Sequence, residues 1–415
     1  MPRMPLGEST VRRATLVMAV SAFLLASGIL VTAVHFALGP DPCRDQTPTR
    51  DEELFEAPKT PPGGGAVSLS LGPTTSCAAM RDGTTYCWGD VPAATEASAP
   101  APRRPHARQV RLSCGGMADC LRSTLVVGEN GHCVRSIEGK LRCEPAGQAA
   151  PFPGCTLDAV ASVAVGPRGA CAVREGGLWC WGQDGAVVGA RVGRQPTKID
   201  EAPPDLAAVA LGSDRVCVLT RQGDVACGGP GKGDRLAFRP IDVGGPAARV
   251  TAGAHHACAL TRDGHVRCWG SNGNGELGDG TQEPRDSVSS VVGIAQQVTD
   301  LDAAESRTCA TTQGGQVYCW GEVGTCGARC AQRSFFSVPT PTKVPIENAV
   351  EVRLGRDHAC ARKRDGSVEC WGDNRRHQVS AFVPFDDYGY SLDRCDITQR
   401  LDLPGSDFPV AVRWP

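Results

Sequence analysis

Two cysteines nine or ten positions apart, with a short polar bend containing glycine between them, recur seven times along this 415-residue chain. The pairs are Cys77 with Cys87, Cys133 with Cys143, Cys171 with Cys180, Cys217 with Cys227, Cys258 with Cys268, Cys309 with Cys319 and Cys360 with Cys370. Successive opening cysteines lie between 38 residues (Cys133 to Cys171) and 56 residues (Cys77 to Cys133) apart. That spacing belongs to stacked supersecondary units rather than to one irregular core.

Each unit reads as a hairpin. With Cys258 and Cys268 set as cross-strand partners, the residues between them pair off until Arg262-Asp263-Gly264 remains as a three-residue loop. Such a loop ends in a left-handed residue, which glycine adopts without steric cost. Gly83, Gly139, Gly223, Gly315 and Gly366 hold the same place. The copy that runs from Cys171 to Cys180 is one residue shorter, and a two-residue Glu175-Gly176 loop absorbs the deletion with the cysteines still opposed. Opposed cysteines on adjacent antiparallel strands are close enough to bridge. Seven structural cystines are therefore expected, each restricting the unfolded chain by about 2 to 3 kcal/mol. Thiolate metal ligation is the rival reading, but zinc knuckles place roughly two to four residues between ligands. The wider spacing here fits that poorly.

A lone hairpin cannot bury its apolar faces. Before each pair runs a short apolar segment such as Val67-Ser-Leu-Ser-Leu71, Val160-Ala-Ser-Val-Ala-Val165, Val209-Ala-Leu211 or Val350-Glu-Val-Arg-Leu354, and glycine follows at Gly72, Gly166, Gly212, Gly253 and Gly355. These alternate as strands do. With a fourth strand from the variable linker, each repeat makes one blade. The fold class expected is all-β, a seven-bladed β-propeller of disulfide-stapled repeats.

The string from Gly253 to Gly280, with Cys258-Ala-Leu-Thr-Arg-Asp-Gly-His-Val-Arg-Cys268-Trp269-Gly270 at its heart, resembles the repeat of the regulator of chromosome condensation family. The resemblance runs over about residues 66 to 380 and is weaker in the second and fourth copies, which lack the tryptophan after Cys143 and Cys227. It implies a seven-bladed propeller. It does not carry over guanine-nucleotide exchange or chromatin binding, which belong to particular members. The added cysteines depart from intracellular members and point to an exported, bacterial-type branch. Trp88, Trp181, Trp269, Trp320 and Trp371 share one repeat position and are expected to pack between blades rather than to form an aromatic ligand cage. His256 and His358 share another, where Thr75, Gly169, Arg215 and Arg307 stand in other copies. Buttressing of the turn is the expected role, with catalysis or metal binding as the alternative.

Residues 14–38 contain no Lys, Arg, Asp or Glu and are long enough to cross a bilayer as a helix. Arg12 and Arg13 precede them, which places residues 1–13 in the cytoplasm and the repeats outside. The segment is expected to be an uncleaved signal anchor or, alternatively, a signal peptide. Export agrees with the cysteines, because disulfides persist in oxidising compartments. Residues 39–65 read as a Pro/Gly-rich linker, and 66–415 as the propeller with a closing segment at its C-terminal end. Residues 93–105 are expected to loop out of the first blade. Cys326 and Cys330 lie in one inter-blade loop and can close a ring or hold a metal. Cys43, Cys114, Cys120, Cys155 and Cys395 have no assigned partner, and the total of 21 leaves at least one thiol over.

A net charge of −2, no Lys/Arg run longer than the three residues Arg362-Lys363-Arg364 and 5% aromatic residues argue against nucleic acid. Phosphate-loop, zinc-protease and nucleophile-elbow motifs are absent, and no cofactor, catalytic or metal-binding residue is assigned. Two functions remain. One is a membrane-anchored extracytoplasmic scaffold whose blade loops bind a protein or envelope component, with an enzyme inhibitor as a narrower form. The other is an envelope hydrolase or lyase whose carboxylates meet at the channel. Neither ligand nor oligomeric state is legible.

Overall fold

The computed structural model describes residues 64–90, 96–97, 108–111, 124–128, 131–145, 154–167, 169–182, 193–230, 236–326, 333–373, 379 and 410–411. The expected anchor at 14–38, the linker as far as residue 63, and Cys43, Cys114, Cys120, Cys330 and Cys395 lie outside them. Among the described residues no helix is long and apolar enough to cross a membrane.

Seven antiparallel sheets form, each from consecutive strands. Blade 1 runs Ala66–Leu71, Thr75–Met80, Thr85–Gly89 and Arg108–Arg111, and blade 2 runs Thr124–Val127, Gly131–Arg135, Leu141–Pro145 and Cys155–Leu157. Blade 3 comprises Val160–Val165, Gly169–Arg174, Gly177–Gly182 and Thr197–Ile199; blade 4, Leu206–Leu211, Val216–Thr220, Val225–Pro230 and Leu236–Ile241. Blade 5 is Ala247–Ala252, His256–Thr261, Val266–Gly270 and Arg285–Ser290, and blade 6 is Val298–Ala304, Arg307–Thr312, Val317–Cys326 and Arg333–Val344. Ala349–Leu354, His358–Lys363, Val368–Gly372 and Val410–Ala411 make blade 7. Each apolar run that precedes a cysteine pair is the innermost strand of its blade. In one respect the expectation fails: within 93–105, Glu96–Ala97 pairs with Arg108–Arg111 as a fifth strand of blade 1. The outer strand offers a free edge there, and the segment satisfies its backbone on it.

Among the described residues there are seven cystines, with Cα atoms 4.0 to 4.1 Å apart. Cys77 is bonded to Cys87, Cys133 to Cys143, Cys171 to Cys180 and Cys217 to Cys227. Cys258 is bonded to Cys268, Cys309 to Cys319 and Cys360 to Cys370. In every blade the two cysteines are register partners on the second and third strands. The hairpin loops close as their glycines require, with Gly264 at φ 87°, and the short copy turns through Glu175 at 51° and Gly176 at 75°. Cys180 therefore still faces Cys171 across a separation of 9 rather than 10.

Successive residues of a strand face opposite sides of a sheet. The dipeptide Cys-Trp therefore sends sulfur toward one neighbouring blade and indole toward the other. Each cystine packs in the cluster shared with the following blade, and each indole in the cluster shared with the preceding one. Burial of the sulfurs is uneven: Cys180 is sealed between blades 3 and 4, whereas Cys319 is only half-buried against the core of blades 6 and 7. Trp320 of blade 6 meets Cys258 and Cys268 of blade 5, and Trp88 of blade 1 meets Cys360 and Cys370 of blade 7. The last contact closes the ring. The five indoles are between 0% and 8% exposed, and each adds dispersion contacts with the adjacent polarizable sulfur.

Candidate functional site

The ring has two unlike rims. On one, the second and third strands are joined by hairpins at 81–84, 136–140, 175–176, 221–224, 262–265, 313–316 and 364–367, none longer than five residues. On the other, the third strand connects to the outer part of its blade through 90–107, 146–154, 183–196, 231–235, 271–284, 327–332 and 373–409, which run from 5 to 37 residues. Between the rims a central cavity of about 440 Å³ is lined by the innermost strands of all seven blades. It reaches the turns Gly72-Pro73, Gly212-Ser213, Gly253-Ala254 and Gly355-Arg356 on the rim that bears the long connections.

The channel wall is chemically divided. Leu69, Leu71, Val127, Val163, Val165 and Leu211 line one side; Arg249, Asp302, Glu305, Glu351, Arg353 and Arg356 line the other. An innermost strand is a sheet edge, and its outward amides need partners. Side chains at two positions of the innermost strand supply them across the junction. Ser70 Oγ accepts from Val127 N at 3.0 Å, Ser162 Oγ from Val209 N at 3.3 Å, and Thr251 Oγ1 from Ala303 N at 3.0 Å. In blades 6 and 7 carboxylates take over: Asp300 accepts from Val352 N at 2.9 Å, Asp302 from Leu354 N at 2.8 Å and Glu351 from Leu69 N at 3.3 Å.

These carboxylates are knitted to arginines. Asp300 bridges Arg249 Nη1 at 2.9 Å and Arg353 Nη1 at 2.8 Å, and Glu351 bridges Arg353 Nη2 at 3.0 Å and Arg362 Nε at 2.7 Å. Burial alone would lower the Arg353 guanidinium, but Asp300, Glu351 and Asp302 hold it above its ordinary range. Burial pushes the Asp302 carboxyl up, against the pull of Arg353 and the Leu354 amide. Two or three convergent carboxylates in a channel are what a hydrolase reading requires. Here Asp302 and Glu351 are engaged by backbone amides, Glu351 also by guanidinium groups, and Glu305 faces Arg356, while Asp300 lies behind the wall on an amide and two guanidinium groups. No motif in the amino-acid sequence marks Asp300, Asp302 or Glu351 for this role; the signal available was a polar residue at alternate positions of an apolar run, as in Val350-Glu-Val-Arg-Leu354.

His256 and His358 are buried in the junctions. His256 Nε2 lies 2.9 Å from Thr308 Oγ1 of blade 6, and His358 Nε2 lies 2.8 Å from Ser76 Oγ of blade 1. Each ring also fills the space over a glycine of its own turn, since a Cβ at Gly253 or Gly355 would stand 2.2 Å from the imidazole. Burial lowers both imidazoles to about 3, so they are neutral. Histidine occurs here only where the next blade supplies a hydroxyl just before its first cysteine. The other junctions have Ala170, Val216, Ala257, Ala359 or His132 at that place.

The rim itself carries paired charges. His255 Nδ1 lies 3.0 Å from Asp214 Oδ2, Arg215 Nε 3.0 Å from Asp214 Oδ1, and Arg356 Nε 3.8 Å from Glu305. Burial would raise Asp214, but hydrogen bonds from Arg215 and His255 hold it below its usual range. The blade 5 connection is fixed from within: Asn272 Oδ1 accepts from Leu277 N at 2.9 Å and its amide donates to Thr281 O and Glu283 O. Trp320 Nε1 and Thr308 Oγ1 both donate to Glu276 O, at 2.8 and 3.1 Å, locking this loop to blade 6. Among the described residues no group of three or more His, Cys, Asp or Glu is arranged to hold a metal. The strand Val317–Cys326 ends at Cys326, while Cys330 falls outside the described residues.

The regulator of chromosome condensation (RCC1) repeat family matches residues 248–276 and 349–378, which span the inner strands of blades 5 and 7. No curated protein matches the chain. Among solved structures, Prp20p from Saccharomyces cerevisiae is similar with a TM-score of 0.57 at 17% identity, over 84% of this chain and 87% of that one. Yeast RCC1 (Prp20) bound to Kap60 gives 0.58 at 16% identity, over 84% and 85%. At such identities the likeness concerns the fold.

Proposed function

This chain carries regulator of chromosome condensation repeats, and from that premise we propose that it is an extracytoplasmic binding scaffold. Its ligand, a protein or envelope component, is held on the rim that bears the long connections. The observation that carries this reading is the spread of length among the third-strand connections of that rim, 5 to 37 residues, against 2 to 12 residues among the blade-to-blade connections of the hairpin rim. Binding loops on a rigid scaffold are free to vary where hairpins that complete a blade are not. Prp20p, of the same fold, is described as binding Gsp1p and histones. A disulfide in every blade fits an oxidising compartment, and the apolar segment 14–38 supplies a membrane anchor.

The chain enters the propeller at the hairpin rim. Ala66 N donates to Gly366 O at 2.9 Å and Arg81 N to Gly65 O at 3.0 Å. Chain entry therefore does not occupy the rim assigned to the ligand. The channel that opens on that rim has an apolar wall from blades 1 to 4 and a charged wall of both signs from blades 5 to 7, which suits a folded polypeptide better than a polyanion.

The test is affinity capture from envelope extract with the full-length chain in detergent. Two variants are compared, one with 231–235 and 183–192 replaced by Gly/Ser segments and one with Arg81, Arg221, Arg262 and Arg364 changed to Ser. Loss of a reproducibly captured partner in the first variant alone is expected. Loss in the second alone would place binding on the hairpin rim and overturn the assignment.

A further inference from the structure

One blade carries a third sulfur in line with its cystine. In the fourth strand, the residue in register with the second cysteine is Arg108, Thr197, Arg239, Ser289, Thr342 and Val410 in blades 1 and 3 to 7. In blade 2 it is Cys155. Cys133, Cys143 and Cys155 thus stand abreast on three neighbouring strands. Register partners present their side chains to the same face of a sheet. All three meet at the blade 2 to blade 3 junction, where Cys155 packs against a cluster that contains Cys133 and Cys143. Cys155 is a free thiol, half-buried, in an outermost strand only three residues long.

We infer that blade 2 holds two interchangeable disulfides, Cys133–Cys143 and Cys143–Cys155. In the exchange, Cys155 loses its proton to solvent and its sulfur attacks Cys143 Sγ. The Cys143–Cys155 bond forms as the Cys133–Cys143 bond breaks, and Cys133 leaves as a thiolate that takes up a proton. One disulfide and one thiol are present before and after, so neither oxidant nor reductant is consumed. The staple moves from the hairpin of one rim to the third and fourth strands, bracketing a connection on the rim assigned to binding.

Two features set the rate. Burial pushes the Cys155 thiol up to about 12 while the strand is docked, which keeps the attacking thiolate scarce at neutral pH. A three-residue edge strand opens locally at low free-energy cost, and opening returns the thiol to its ordinary acidity. Alkaline pH therefore speeds the exchange.

The full-length oxidised protein, held at about pH 9 to raise the thiolate fraction, is quenched with acid, treated with N-ethylmaleimide and digested for disulfide mapping by mass spectrometry. The expected result is Cys143 bridged to Cys155 as well as to Cys133, with the label shifting in step from Cys155 to Cys133. Cys143 bridged to Cys133 alone, with Cys155 fully labelled at every time, overturns the inference. Cys155→Ser abolishes labelling of Cys133; persistent labelling in that variant would make another thiol the attacker and equally overturn it. Cys133→Ser is expected to close Cys143–Cys155 spontaneously under air, and labelling of both cysteines in folded protein would exclude the second bridge.

Discussion

The junction between blades 5 and 6 and the junction between blades 1 and 2 follow one plan in different materials. At the first, Cys258 and Cys268 meet Trp320, His256 bonds Thr308, and a whole loop is tied through Glu276 O to both blade 6 residues. At the second, Glu144 stands where the indole would be, and the buried cluster shrinks to Cys77, Cys87, Leu125, Val127 and Val134. There Glu144 lies 3.8 Å from the buried His132 and 2.8 Å from Arg142. The junction between blades 3 and 4, which buries Cys171 and Cys180, also lacks the indole, yet it recovers. Gly228 occupies the place, and a Cβ there would stand 3.2 Å from the ring of Phe238, which packs against that junction's core from the fourth strand. A repeat architecture thus tolerates loss of its signature residue when a neighbouring strand supplies equivalent volume. Where none does, polar pairing fills the gap and stabilises less.

Acid should separate the junctions most. His256 and His358 titrate at about 3 in the folded protein, against an ordinary value near 6.5. The unfolded chain alone binds protons in between, so this contribution is complete above about pH 6.5 and is lost as pH falls toward 3, at several kcal/mol for the pair. Urea midpoints between those limits should fall steeply in the natural protein and more gently in a His256→Gln, His358→Gln double variant. Equal slopes would remove these junctions from the account. Next in size, Trp320→Ala is expected to cost about 3 to 5 kcal/mol and Leu125→Ala, in the poorer junction, about 2. Chemical denaturation that finds the two alike would mean that indole packing does not distinguish the junctions.

Behind the channel wall, Asp300→Ala deprives Arg249 and the Val352 amide of their carboxylate and leaves Arg353 with Glu351, and a loss of about 3 kcal/mol is expected. At the weaker junction a neutral acceptor takes the place of the carboxylate, and Ser70→Ala, which removes it from the Val127 amide, should cost only about 1 kcal/mol. Between these lies a substitution that tests compensation directly. Gly228→Trp should destabilise by roughly 1 to 3 kcal/mol through overpacking on Phe238, and adding Phe238→Ala should restore most of it. A double variant weaker than the single one would show that Phe238 does not stand in for the indole.

The hairpins and their cystines were legible residue by residue, because register in a short hairpin follows from loop length and the position of glycine. The period-two runs before each cysteine pair marked the innermost strands for the same local reason. Their polar residues were visible but mute: nothing local to Asp300 says that its carboxylate will meet Val352 and Arg353 of another blade. The histidines show the same limit. Their repeat position was plain, whereas the hydroxyl that each one binds lies 52 positions away for His256 and 282 for His358. Cys155 could be counted as unpaired, but its alignment with Cys133 and Cys143 depends on where the fourth strand begins.

What the amino-acid sequence determined by itself was the blade: alternation, turn glycines and opposed cysteines act within about a dozen residues, where chain connectivity limits the alternatives. Ring closure decided the remainder. Only when Trp88 packs on Cys360 and Cys370, and Ser76 on His358, does each sheet edge acquire the neighbour whose side chains cap its amides. Those contacts join residues from opposite ends of the propeller, and their energies exist only once the seven blades share one circle.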